Sequence, residues 1–156
     1  MLTILADASG RVTLAGRHVS VRTRRQKSLA LIRAREVATN LSLPMVVLDD
    51  EGTIVFYNAA AERVAGWSFA EMGEMSSTAW AALFHPEHLD GSPMALEEMP
   101  AGIALLERRP NHKTIRFTSL DGELHRVSIT AIPLIGREEE LFGAVTIFWV
   151  EEDAGI

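Results

Sequence analysis

The chain has 156 residues, the length of one ordinary domain with some to spare, and its 47% hydrophobic and 23% charged content suits a packed core rather than a disordered chain. It contains no cysteine, which excludes disulfides, thiolate nucleophiles and cysteine-held zinc or iron–sulfur centres. The net charge of −6 is unevenly spread, with +6 over residues 1–40 and −12 over residues 41–156, a basic arm on an acidic body that phosphate would repel. Apolar runs such as Ala79–Phe84 fall far short of the ~20 residues that cross a membrane. Met1–Asp7 lacks the basic stretch of a secretory leader, so a cytoplasmic protein is expected.

In chain order, the first element is a hairpin: Leu2–Leu5 and Arg11–Leu14 alternate about the turn Asp7-Ala8-Ser9-Gly10. Leu5–Leu14 shares its pattern with Val47–Phe56, which reads as common hairpin chemistry. From Thr23 to Asn40 there is no Gly or Pro, and Ala30, Ala34, Val37, Ala38 and Leu41 recur at helical spacing. This predicts an amphipathic helix, capped by Ser20 or Thr23 and ended before Pro44. Its arginines read as a solvated face, with an acidic partner, a phosphate backbone or the chain's own acidic body as alternatives.

Met45–Leu48 and Thr53–Tyr57 read as strands about the turn Asp49-Asp50-Glu51-Gly52. Asn58 then caps a short helix, Ala59–Ala65, that Gly66 ends, and Ser68 opens another helical turn carrying Glu71. The stretch from Ser76 to Met94 mixes aromatic residues with loop chemistry, and Leu96–Arg109 reads as one helix stopped by Pro110. Three strands close the chain: Lys113–Thr118, Leu124–Leu134 and Leu141–Val150, joined at Leu120–Glu123 and Gly136–Glu140. The last is apolar on both alternating faces, so both are expected to be covered, one by the N-terminal helix of this chain or of a second copy.

This order of elements resembles the PAS sensor domain family. The motifs that carry the resemblance are Asp49–Glu62, Gly66-Trp67-Ser68-Phe69-Ala70-Glu71 and Phe84-His85-Pro86-Glu87. To these are added Asp90-Gly91-Ser92-Pro93 with Glu98 and Pro100, the Asp121-Gly122 hairpin and Gly143-Ala144-Val145. The resemblance implies an α+β fold: a five-stranded antiparallel sheet with short helices on one face, preceded by an N-terminal amphipathic helix. It divides the chain into an extension over 1–42, a PAS-like domain over 43–152 and a tail over 153–156. Where many relatives have Asp-Ile-Thr leading to a signalling helix, this sequence reads Val150-Glu151-Glu152. That leaves either an effector on a longer chain or signalling by association.

No cofactor is assigned. A flavin–cysteine adduct and a thioester-linked coumarate both need a cysteine and are excluded, whereas a non-covalent flavin is not. Haem is disfavoured, because relatives hold iron through a histidine on the long helix. The five histidines here are His18, His85, His88, His112 and His125, none of them in Leu96–Arg109. His85-Pro86-Glu87-His88-Leu89-Asp90 offers metal-ligating types, but Pro86 disfavours a helix carrying both imidazoles, so it reads as a structural loop and no metal is expected. Ser68, Ser76, Ser77, Ser92, Ser119 and Ser128 lack a nucleophile-elbow context, and no glycine-rich phosphate loop is present. No enzymatic activity is expected.

Candidate walls for a small apolar ligand are Trp80, Phe84, Ile103 and Leu106 from the helices, with Tyr57, Ile115, Phe117, Ile129 and Ile147 from the sheet. Arg116, Thr130 and Thr146 are candidate polar contacts if they face inward. Any of these residues could equally be plain core, and a one-residue register change would invert every strand assignment. The resulting expectation is a non-catalytic sensing or interaction module. It would act as a homodimer through the N-terminal helix and outer sheet face, or on an effector protein, without membrane or nucleic acid. The alternatives are the sensory part of a larger signalling enzyme (histidine kinase, cyclase or phosphatase) and a transcriptional regulator using the basic arm.

Overall fold

The computed structural model describes residues 5–6, 11–14 and 17–152, with side chains from residue 25 onward. Three short strands, β1 (Leu5–Ala6), β2 (Arg11–Leu14) and β3 (Arg17–Ser20), form an antiparallel sheet of their own. Leu5 lies opposite Thr13, within the hairpin expected from the sequence; Leu2–Ile4 and the turn Asp7–Gly10 lie outside the described residues. β3 is an addition, and its four residues carry only Val19 as a β-branched signal.

Helix α1 (Val21–Asn40) follows directly, so Ser20 precedes the first helical residue and Thr23 lies inside the helix. Its buried seam is Ala34 and Ala38, with Leu31 and Leu41 packed beside them. Val37, expected on that seam, is 59% exposed. It is the immediate neighbour of Ala38, and a step of one residue turns a side chain about 100° around the helix.

The main sheet contains β4 (Met45–Asp49), β5 (Thr53–Tyr57), β6 (Met75–Ser76), β7 (Asn111–Thr118), β8 (Leu124–Ile135) and β9 (Leu141–Val150). The strands run antiparallel in the order β6-β5-β4-β9-β8-β7. The fold is α+β as expected, with six strands in place of five. The extra one, β6, is a two-residue edge strand that pairs Thr53 with Ser76 and is too short to leave a period-two pattern.

Between β5 and β7 lie α2 (Ala59–Ala65), α3 (Phe69–Met72), α4 (Ser77–Phe84) and α5 (Pro100–Glu107). Their ends are written locally. Asn58 Oδ1 accepts the Ala61 N–H at 3.0 Å, Ser68 Oγ that of Glu71 at 3.3 Å and Ser76 Oγ that of Ala79 at 3.1 Å. Gly66 closes α2 at φ 78°, where glycine is unstrained.

The helix expected over Leu96–Arg109 is two pieces. Leu96–Glu98 is one 3₁₀ turn, Met99 is extended, and α5 begins at Pro100. Proline has no N–H to give the preceding turn and drives the residue before it out of helical geometry. Gly102 lets the two pieces fold together, because a Cβ there would collide with the Leu96 carbonyl oxygen.

Candidate functional site

The main core lies between the sheet and α2–α5. Phe84 and Ile115 are its largest almost fully buried apolar side chains, at 1% and 0% exposure, each worth about 1.5–3 kcal/mol of burial. Within it is a cavity of about 140 Å³. Val46 and Leu48 of β4, Ile54 and Tyr57 of β5, Phe117 of β7, Ile129 of β8, and Thr146 and Phe148 of β9 form its sheet side. Ala61, Ala65, Met72, Trp80, Phe84, Met99 and Leu105 are among the helical residues that close it.

Strand register explains which side chains face inward. In β9 the alternating set Thr146 and Phe148 faces the cavity, while Val145 and Ile147 lie on the opposite face under α1. In β5 the inward residues are Ile54 and Tyr57. The pairs Val47–Phe56 and Leu48–Ile54 leave Val55 as an extra residue, and this bulge turns both side chains to one side.

The candidate residues therefore divide. Tyr57, Trp80, Phe84, Phe117 and Ile129 line the cavity. Ile115 is wholly buried in the same core but does not reach the wall, and Ile103 is half-buried on α5 outside it. Two placements are corrected. Ile147 is on the outer face, packed with Met45, Val47 and Val145 against α1. Leu106 is 68% exposed, because the short α5 turns Leu105 inward and its neighbour out. Of the polar candidates only Thr146 faces inward: Thr130 Oγ1 lies 2.8 Å from His112 Nδ1, and Arg116 Nε donates to Glu87 Oε1 at 3.0 Å.

The cavity's side-chain hydroxyls are directed at backbone carbonyls. Tyr57 donates its hydroxyl to the Trp67 carbonyl at 3.0 Å, and Ser77 donates to the Gly52 carbonyl. Thr146 Oγ1 lies 3.5 Å from the Val46 carbonyl oxygen. Burial, with Glu62 and Glu71 nearby, pushes the Tyr57 phenol up to about 12. Among the described residues no charged side chain and no histidine is on the wall. Haem thus finds no axial imidazole there.

The loop after α4 is structural in its bonding. The His85 N–H donates to the Ala81 carbonyl at 2.9 Å, closing the helix. Glu87 and Arg116 exchange both backbone hydrogen bonds, at 2.9 and 3.0 Å, along the free edge of β7. His88 Nε2 lies 3.3 Å from Glu98 Oε2. Hydrogen bonds from Ser92 hold the Asp90 carboxyl below the usual carboxylate range, and the Ala95 N–H does the same for Glu98.

A different cluster went unnoticed in the sequence. Asp121, Glu123 and His125 bring ligand-capable atoms within 4.8 Å of one another at the β7–β8 turn. Asp121 Oδ1 accepts from Ser119 Oγ and from the Glu123 N–H, and His125 Nε2 is 3.2 Å from Ser119 Oγ, so turn-forming bonds account for the grouping. Among the described residues no helix is long and apolar enough to cross a membrane.

Comparison with known proteins agrees with this architecture. A family model described as PAS domain matches residues 42–150. No curated protein matches the sequence. Solved structures do. The PAS domain of a protein from Colwellia psychrerythraea superposes with a TM-score of 0.55 at 19% identity, covering 78% of this chain and 96% of its own. The PAS domain from Bordetella pertussis BvgS gives 0.55 at 19%, covering 80% and 87%. The Rhodobacter sphaeroides LOV protein gives 0.61 at 15%, covering 83% and 70%. At these identities the likeness is one of fold.

Proposed function

The chain belongs to the PAS domain family, and from that premise we propose that it is a signal-sensing module without catalysis of its own. It takes a small apolar ligand into the cavity and answers through α1 and the outer face of the sheet, as a homodimer. The observation that carries this reading is the alternation along β4 and β9. Val46, Leu48, Thr146 and Phe148 wall the cavity, while Met45, Val47, Val145 and Ile147, interleaved with them, carry α1. A ligand that respaces one set respaces the other, and it biases α1 by its differential affinity for the two arrangements.

The second copy is argued from charge and exposure. Residues 1–40 carry +6 against −12 on the rest, so the basic helix of one copy complements the acidic body of another. On α1, Leu29, Ile32 and Val37 are 49%, 54% and 59% exposed, and on the sheet Ile132 and Trp149 are 40% and 41% exposed.

Sedimentation of the full chain over a range of concentrations tests the dimer. Ile32→Glu and Trp149→Glu are each expected to weaken association by about tenfold or more. A protein that stays monomeric throughout, or a dimer indifferent to both substitutions, overturns this arrangement.

A further inference from the structure

We propose that the cavity is a receptor site for one uncharged ring hydrocarbon of about toluene's size, held by packing with no ion pair to the protein. The inference rests on the sensing role above and names the ligand class that role requires.

Size sets the first limit. Apolar cavities of ~150 Å³ stay dry and take benzene or xenon, and this one is of about 140 Å³. Polarity sets the second. The three side-chain hydroxyls on the wall belong to Tyr57, Ser77 and Thr146, and each is directed to a backbone carbonyl: Trp67, Gly52 and Val46. A hydroxyl has one proton to give, which leaves the Trp80 indole N–H as the side-chain donor on the wall, enough for one neutral acceptor but not for a carboxylate's charge. With no charged side chain on the wall either, a carboxylate would be buried unpaired.

Shape sets the third. Trp80 and Phe84 stack at 5.3 Å, Phe84 meets Phe117 edge-on at 6.0 Å, and Phe117 meets Phe148 edge-on at 6.5 Å. These rings present both faces and edges, the two geometries by which one aromatic ring packs against another. Met72 and Met99 add unbranched, polarizable side chains to the wall that adjust to a guest.

The test is an NMR titration of the isotope-labelled protein with toluene, with benzoate and, separately, with xenon under pressure. Toluene is expected to shift the Ala61, Thr146 and Phe148 amides saturably and to bind about 100-fold more tightly than benzoate. Ala65→Leu, which adds a side chain to the wall at a half-buried position, is expected to weaken toluene binding by about tenfold or more.

Benzoate binding as tightly as toluene, with shifts at the same amides, would overturn the ligand class while leaving the sensing role standing. Toluene binding that Ala65→Leu does not weaken would place the ligand elsewhere and overturn the site. If neither organic probe nor xenon moves those amides, the ligand-sensing role falls together with the inference.

Discussion

Asn58 Nδ2 donates to the carbonyl oxygen of Ala38 at 2.9 Å, joining the start of α2 to the last turn of the N-terminal helix. The same amide donates to the Leu43 carbonyl at 2.8 Å, while its Oδ1 accepts from the Met45 and Ala61 N–H groups at 3.1 and 3.0 Å. At 2% exposure Asn58 is both the cap of α2 and the clasp that holds the end of α1 to the start of β4.

Asn58→Asp separates those two duties. Aspartate keeps the acceptor that caps α2 but turns oxygen lone pairs toward the Ala38 and Leu43 carbonyls, leaving them without their donor. Chemical denaturation is expected to register a loss of about 2–4 kcal/mol. Hydrogen exchange should rise over the last turn of α1 while the Ala61 amide stays protected. A loss below about 1 kcal/mol would mean that the donor side is dispensable.

The seam of α1 gives a contrast between adjacent positions. Ala38→Leu forces extra volume against Met45, Val47 and Val145 and is expected to destabilise by about 1–3 kcal/mol. Val37→Ala, on the solvent side, should stay within about 0.5 kcal/mol of the parent in the same thermal or denaturant unfolding measurement. Equal losses at the two positions would contradict the docking of α1 by its Ala34–Ala38 face.

Tyr57 is the only tyrosine, so absorbance titration of tyrosinate reads this one group. The folded protein is expected to ionise with a midpoint of about 12, against the ordinary value of 10.0. Because the folded state holds the phenolic proton more tightly than the unfolded chain, this contribution to stability is complete below the ordinary value. It is lost as pH rises from there through about 12. A midpoint at the ordinary value would place the phenol in solvent.

Two glycines with positive φ separate crowding from backbone preference. Gly143, at φ 154°, lies opposite Asp49, and a Cβ there would collide with the Leu48 carbonyl oxygen. Gly143→Ala is therefore expected to lower the unfolding free energy by at least about 2 kcal/mol. Gly73, at φ 70° and ψ −167°, has open space around it but sits in a backbone region essentially reserved for glycine, so Gly73→Ala should show the backbone term alone, about 1–3 kcal/mol. Thermal unfolding of the two variants side by side checks the order.

Much of the frame was legible because it is encoded locally. Asn58, Gly66 and Ser68 act within three or four residues of themselves, and the bounds of β9 follow from its largely apolar run between Glu140 and Glu151. What was hidden is what depends on distant partners. β9 is apolar on both sides, so hydropathy alone could not tell that Thr146 faces the cavity and Ile147 faces α1. The donor side of Asn58 was invisible because its acceptors are backbone carbonyls 15, 17 and 20 residues earlier in the chain. The split of Leu96–Glu107 was written in Pro100, but its periodicity masked the break.

The Glu87–Arg116 exchange also bears on how copies of this protein can meet. A strand at the border of a sheet offers unpaired N–H and C=O groups to any passing chain, and proteins that stay dispersed blunt such borders. Here one border is the two-residue β6, and on the other the Arg116 backbone groups are taken by Glu87, with a side-chain ion pair holding the bridge shut. Continuous sheet extension from molecule to molecule across β7 must first peel that segment away. Assembly is thereby steered toward broad faces, and fibre growth by strand addition is opposed within the fold itself.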